Sequence, residues 1–447
     1  MKKPERLLGL FDVSVLMVSL VLGMGIFRTP VNVAAAVSSP VIYFLSWVAG
    51  GVVAFCGALT YAEIGNRLPV TGAYYKVFSY AYHPSIAFSI NCIIIVSNAA
   101  TLGGVALIGG EYITGVIFPG RTSASLETIQ LIIAIFSVLL FYGVNLLGLK
   151  TSAHTQNVLT VVKVLLVIAL IMPLFFADTP PIQFHNTHVS ESVWSYLRSF
   201  GIGFVAVSFT YGGYQQTINF GEEIRKPQKT LPRAIFIGIS IILLLYLLIN
   251  LAYVKVIGYD ALGKSTNIAA IMAGKVFGHA SETILSVLLF LSVLAYVNVL
   301  LMSNPRVMSA MSTDKILPAA FNRRNDKTGV LATSLSVFVA LCIIIVFWAN
   351  TFDTILSFTI FLDCFGMVLS SASIFILRKR NTHPEGIEFC KMKWYPVMPV
   401  IFILPYTFVG ISIFVTDTGI SLIALAVLLA FMIIYFAFIG NRQRIKI

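Results

Sequence analysis

Apolar residues gather into twelve stretches along the chain, each long enough to cross a bilayer as one helix, with short polar segments between them. They cover residues 11–37, 40–64, 85–117, 127–147, 154–177, 196–219, 233–257, 281–304, 330–349, 354–377, 396–416 and 418–439. The pattern predicts an all-α polytopic membrane protein with twelve transmembrane helices and no separate soluble domain. The first stretch is too long for the apolar core of a signal peptide and lacks a small-residue cleavage pattern, so no cleaved leader is expected. Of the longer connections, 258–280 carries the apolar run 268–273, which suits either a short helix over the mouth of the bundle or a solvated loop. Pro227 and Pro232 are expected to stop one helix and start the next.

Two of the twelve stretches are interrupted by glycine. The first reads Val21-Leu22-Gly23-Met24-Gly25-Ile26-Phe27, and the sixth reads Phe209-Thr210-Tyr211-Gly212-Gly213-Tyr214. Glycine weakens a helix interior. In a membrane helix a Gly-x-Gly pair alone usually marks close packing of neighbours. Two such pairs five stretches apart instead suggest broken helices in two related halves, with a site at the breaks. The half-helix starting near Gly25 would present free N–H groups and a positive dipole end to a carboxylate. The half-helix ending near Gly212 would present carbonyls to an ammonium group. Together they describe a site for the zwitterion of an amino acid. Val21, Gly23, Met24, Gly25, Ile26, Phe209, Thr210, Tyr211, Gly212, Gly213, Tyr214 and Gln215 are its candidate lining, with Phe209 as a lid. Core packing is the competing use of each aromatic, and an interhelical hydrogen bond that of Gln215 and Gln216.

Composition sharpens the picture. Hydrophobic residues make up 58% and charged residues 11%, too few charges for a soluble domain. The net charge of +12 has a use other than nucleic-acid binding: 23 of the 30 Lys and Arg fall on the side that holds both termini. The positive-inside rule then places both termini in the cytoplasm of a cell whose inner membrane the chain spans. None of the five cysteines falls in an outer loop, so no extracellular disulfide is expected.

Few ionisable residues fall within the stretches. Lys163 lies nine residues past His154, about 14 Å into the fifth helix. That is too deep to reach the interface comfortably, and insertion there costs about 3 kcal/mol. It is expected to point inward, toward carbonyls freed at the first break, as a fixed or titrating cation or as a structural tether. Arg28 and Glu111 are candidates for an outer gate or a charge pair, and Asp363 lies within the tenth stretch. The segment 295–302 contains no Ser or Thr, which disfavours a sodium site there; Asn298 is its one short polar group and a candidate to orient Lys163 or the helix 1 backbone. The six histidines lie in loops or at span ends, with no metal-like cluster or Ser–His pair, so neither an enzyme nor a cofactor or metal is expected. No repeated filter sequence or ring of charges suggests a channel.

Several segments resemble the amino acid–polyamine–organocation transporter superfamily, most closely its L-type and bacterial amino-acid exchanger branch. They are Gly23-Met24-Gly25-Ile26-Phe27; Tyr61-Ala62-Glu63-Ile64-Gly65 with Pro69, Thr71-Gly72 and Tyr74; the Phe209–Tyr214 break; Glu222-Glu223-Ile224 with Pro227 and Leu231-Pro232-Arg233-Ala234; and Arg306 with Leu317-Pro318. Residues 330–447 match only in apolar pattern. The resemblance implies a LeuT-like five-plus-five inverted repeat (11–177 and 196–377) followed by two helices (396–439). It also implies alternating access, and Lys163 standing where sodium-coupled relatives hold their ion. Met24 departs from the family's serine and Tyr214 from its tryptophan. The second outer loop lacks the cysteine that links animal members to a heavy chain, so no such partner is expected. The implied function is sodium-independent amino-acid transport by exchange or proton-coupled uptake. The expected cargo is a small or medium neutral amino acid, with a cationic amino acid or polyamine as the alternative.

Overall fold

The computed structural model describes residues 6–23, 25–118, 124–176, 193–265, 268–278, 281–348, 352–381, 391–416 and 418–440. Among these, β-pairing is limited to two isolated bridges, Leu8 with Ile224 and Thr71 with Phe220. The helices are α1 Leu10–Val21, α2 Gly25–Ala36, α3 Pro40–Arg67, α4 Ala73–Ala81, α5 Pro84–Ile117, α6 Ala124–Leu146, α7 Leu149–Ile171, α8 Pro173–Phe176 and α9 Val193–Thr210. They continue with α10 Pro227–Ile257, α11 Tyr259–Leu262, α12 Ile268–Phe277, α13 Ser281–Thr313, α14 Ala332–Trp348, α15 Phe352–Lys379, α16 Val397–Thr416 and α17 Thr418–Ile434. Among the described residues nine helical segments are long and apolar enough to span a membrane, α1 and α2 counting as one, and three shorter apolar helices, Tyr196–Ser208, Ala332–Phe347 and Ser421–Ala437, fall on the remaining predicted stretches.

Helix starts follow their local chemistry. Ser39 caps α3 through a hydrogen bond from the Ile42 amide, with Pro40 next in line, and Pro84 opens α5 after His83. Pro227 opens α10, but Pro232 lies inside that helix rather than marking its start. The segment 304–313, which reads as part of a loop, continues α13 to Thr313, and Pro305 is carried inside it. The connection after α3 contains the short helix α4, and the apolar run 268–273 lies in α12. The sixth stretch is α-helical only as far as Thr210; beyond Gly213 the chain turns through the 3₁₀ segments Tyr214–Asn219 and Gly221–Glu223. Residues 119–123 and 177–192, expected in outer loops, and Cys390 lie outside the described residues.

The core is a cage of long helices. α13 packs along α5 and α7, α10 along α1 and α3, and α9 along α2 and α3. The outward faces of α16 and α17 carry exposed Leu404, Ile411, Val415, Leu422, Ile423 and Ile433, as expected where hydrocarbon is the solvent.

Among the described residues, ion pairs tie one end of this cage together, the end where Leu8 meets Ile224. Glu63 receives Arg67 at 2.8 Å and Arg378 at 2.5 Å, and also the Met392 amide at 2.8 Å. Glu223 receives Arg306 at 2.5 Å and Arg324 at 3.4 Å, while Lys76 pairs with Asp314. These contacts join α3, α4, α13, α15 and the 3₁₀ segment after α9. Glu63 is almost fully buried, so each arginine it loses would be left poorly solvated. Glu63→Ala is expected to cost about 3–5 kcal/mol, as for a broken buried ion pair. Thermal unfolding in detergent checks it; a melting temperature equal to wild type would show that Arg67 and Arg378 find other partners.

Candidate functional site

The first break falls where the glycines predict. α1 ends at Val21, the Leu22 amide closes the last turn on Val18 at 2.8 Å, and the Gly23 amide turns back to the Val21 carbonyl at 2.7 Å. α2 then begins at Gly25, so its first-turn N–H groups have no partner within the helix. The second break is sharper. α9 ends at Thr210, and Gly213 adopts φ of +113°, a conformation open to glycine and strained for other residues. A Cβ at Gly213 would also land on the Leu20 carbonyl, so the two broken backbones touch.

Side chains pin this meeting. The hydroxyl of Tyr246 on α10 lies 3.0 Å from the Val21 carbonyl and 3.3 Å from the Thr210 carbonyl, one at each break. The Thr210 hydroxyl donates to Thr29 on α2 at 2.8 Å, and Gln215 accepts from the Gly213 amide at 2.9 Å. Tyr246 is fully buried and packs on Tyr211 and Trp47, with ring centroids at 5.0 and 6.0 Å. Its role was not visible in the sequence. A tyrosine in an apolar helix carries no sign that its hydroxyl will meet two helix ends distant in the chain.

A cavity of about 330 Å³ opens at this junction. Val21, Gly23, Gly25, Thr210, Gly212, Gly213, Gln215 and Gln216 line one wall, all on or beside the breaks. Asn98 and Thr101 of α5, Tyr296 and Leu300 of α13, and Asp363 and Met367 of α15 line the other. Arg28 and Asn32 are exposed at its rim, so it opens away from the ion-paired end. A larger cavity of about 810 Å³ lies among the loops of the ion-paired end and touches neither break.

The predicted site residues divide into three groups. Val21, Gly23, Gly25, Thr210, Gly212, Gly213, Gln215 and Arg28 meet at the cavity. Ile26, Tyr211 and Tyr214 are buried and do not line it. Tyr211 packs on Trp47 and donates to its carbonyl at 3.3 Å, and Tyr214 stacks edge-on against Tyr61, its hydroxyl in the notch left by Gly57. The 3₁₀ turn after Gly213 swings Tyr214 onto α3 and away from the opening. Met24 and the side chain of Phe209 lie outside the described residues.

Lys163, Asn298 and Glu111 also stand apart from the cavity lining. Lys163 is fully buried, and among the described residues its Nζ has no hydrogen-bond partner, so the expected bond to freed carbonyls is not made. Gln156 on the same buried face of α7 donates to Ser19 of α1 at 2.6 Å, and Asn157 donates to Asp12 at 2.7 Å, so α7 packs along α1. Asn298 does not contact Lys163. It accepts from Asn145 at 2.8 Å and donates to Gln156 at 2.7 Å, so it reaches helix 1 only through Gln156. Glu111 is exposed on α5, near enough to Arg28 for their charges to interact.

Tyr246→Phe keeps the ring packing and removes the hydroxyl from both breaks. It is expected to cost about 1–3 kcal/mol, the price of a buried hydrogen bond left unmade. Thermal unfolding in detergent reads this; an unchanged melting temperature would mean that the breaks hold together without it.

Comparison with known proteins agrees with this arrangement. The family model described as amino acid permease matches residues 8–444. The serine/threonine exchanger SteT of Bacillus subtilis is 27% identical over 98% of this chain and 98% of its own. The large neutral amino acids transporter small subunit 2 of Rattus norvegicus is 25% identical over 97% of this chain and 80% of its own. The methylthioribose transporter of Bacillus subtilis is 24% identical over 90% and 87%. Two broken helices meeting at a polar cavity inside a bundle of membrane-spanning length, and a family match over nearly the whole chain, lead to one conclusion: this chain belongs to the amino acid permease family.

Proposed function

We propose that this protein is a sodium-independent amino-acid transporter that works by alternating access and exchanges one amino acid for another. The observation that carries the reading is that both helix breaks face one cavity. The α-carboxylate would dock on the N–H groups that open α2 at Gly25, favoured by the dipole of that half-helix. The α-amino group would dock on the carbonyls that end α1 and α9. The full-length similarity to a serine/threonine exchanger supports exchange rather than one-way uptake.

In this reading helices 1–5 and 6–10 form two inverted repeats, and both termini lie in the cytoplasm, where the basic loops are. The conformation is then open to the outside. The ion pairs of Glu63 and Glu223 close the inner end, and they must separate for the cavity to open inward. Lys163, buried on the fifth helix, would stand in for a coupling ion between helices 1 and 5 as a fixed or titrating cation. The lack of Ser and Thr over residues 295–302 of α13 supports independence from sodium.

Proteoliposomes loaded with unlabelled amino acids and supplied with labelled ones test the proposal. Saturable uptake that needs internal amino acid and is equal in sodium and choline buffers is expected. Uptake that needs a proton gradient instead would make the protein a symporter, and no saturable flux for any amino acid would remove the proposal. Gly25→Val brings added methyl groups against Thr210, whose Cγ2 would already lie 3.1 Å from a Cβ at that position. Affinity is expected to fall at least about tenfold, equivalent to 1.4 kcal/mol; binding at wild-type strength would rule out this site. Lys163→Ala is expected to slow exchange with the protein still folded. Unchanged flux would show that the lysine has no part in transport.

A further inference from the structure

The wall of the cavity that faces the breaks carries a carboxylate, Asp363 of α15. It is partly exposed into the cavity and lies beside the hydroxyl of Ser97. Among the described residues it has no ion pair with any lysine or arginine. The carboxylates of Glu63 and Glu223, by contrast, each hold two arginines. An ionised carboxylate inside a membrane protein is costly unless something compensates it, and the Ser97 hydroxyl, being neutral, compensates it only in part.

Asp363 shares the cavity with polar Asn98, Thr101, Gln216 and Tyr296 and with apolar Leu300 and Met367. Asn98 donates to Asn304 at 2.8 Å and accepts from Gln216 at 3.2 Å, which fixes both amides and leaves the Gln216 oxygen without a partner. A branched aliphatic side chain placed there would leave the Asp363 carboxylate without a partner from the substrate, at a cost in affinity. The one cation at the rim, Arg28, belongs to the opposite wall and interacts with Glu111.

We infer that Asp363 is a specificity-determining residue that selects amino acids with a cationic side chain, its carboxylate pairing with the ammonium or guanidinium group of the substrate. The inference rests on the transport reading above: with the α-carboxylate and α-amino groups held at the breaks, the side chain extends across the cavity toward α5, α13 and α15. Ion pairing in a site closed from water separates a charged substrate from a neutral one of the same shape. Arginine and citrulline, a guanidinium and a urea on the same skeleton, make that comparison.

Exchange of labelled arginine and labelled citrulline in proteoliposomes reads the inference. The wild-type protein is expected to favour arginine by about ten- to a hundredfold, the range of a charge-assisted hydrogen bond. Asp363→Asn should bring the ratio near one, by losing arginine and keeping citrulline. Asp363→Glu, which keeps the charge, should keep the preference. A wild-type protein that carries neutral amino acids but not arginine or lysine overturns the inference and leaves the transport reading standing. An Asp363→Asn protein with the wild-type ratio overturns it equally. Should Asp363→Asn carry neither substrate, Asp363→Glu decides: loss of its arginine preference contradicts the assignment, and its retention supports it. No flux of any amino acid in the wild-type protein would overturn both readings together.

Discussion

The structure depends on the contact between two interrupted helices. At the junction the Gly213 backbone lies on the Leu20 carbonyl, so closely that any side chain there would intrude. Backbone that leaves the helix at membrane depth gives up hydrogen bonds that hydrocarbon cannot replace. Here Tyr246 supplies part of what each break lacks, with one hydroxyl against a carbonyl from each. The same constraint that makes the break expensive makes it the proposed binding site, with N–H donors at one helix start and carbonyl acceptors at two helix ends.

The ion-paired end complements this junction. A cavity reached from one side needs a barrier on the other, and the barrier is made of buried carboxylates that each gather arginines from separate helices. Such clusters contribute little net stability compared with apolar packing, but they are costly to break singly. That asymmetry suits a gate, which has to be closed in a defined register and then open as a unit. Glu63 joins α3 to α15, and Glu223 joins the turn after α9 to α13 and the loop beyond it. In the proposed transport cycle these charge-joined elements are the ones that separate to open the cavity on its other side.

Much of this was legible in the sequence because it obeys local rules. Apolar length gave the spans, and glycine in an apolar run gave both breaks, since no other residue accepts φ of +113° at Gly213 without strain. What the sequence hid was direction. Tyr214 and Tyr211 adjoin the second break, yet a 3₁₀ turn and a notch at Gly57 carry Tyr214 away, while Trp47 takes Tyr211. Asn298 is a polar node, but its side-chain partners are Asn145 and Gln156, the latter about two turns before Lys163 on the same helix. Asp363 looked like one ionisable residue among several; only the fold brings it opposite the breaks. Side-chain direction across a bundle is set by rotation of whole helices, which periodicity in a nearly all-apolar segment does not encode.

An experimentally determined structure with a transported amino acid bound is the most direct test of the central claim. The account predicts the α-carboxylate within hydrogen-bond distance of the backbone N–H groups at the start of α2, and the α-amino group against the carbonyls at the ends of α1 and α9. A ligand seated elsewhere, such as the larger cavity among the basic loops, with the two breaks contacting only each other, would contradict it.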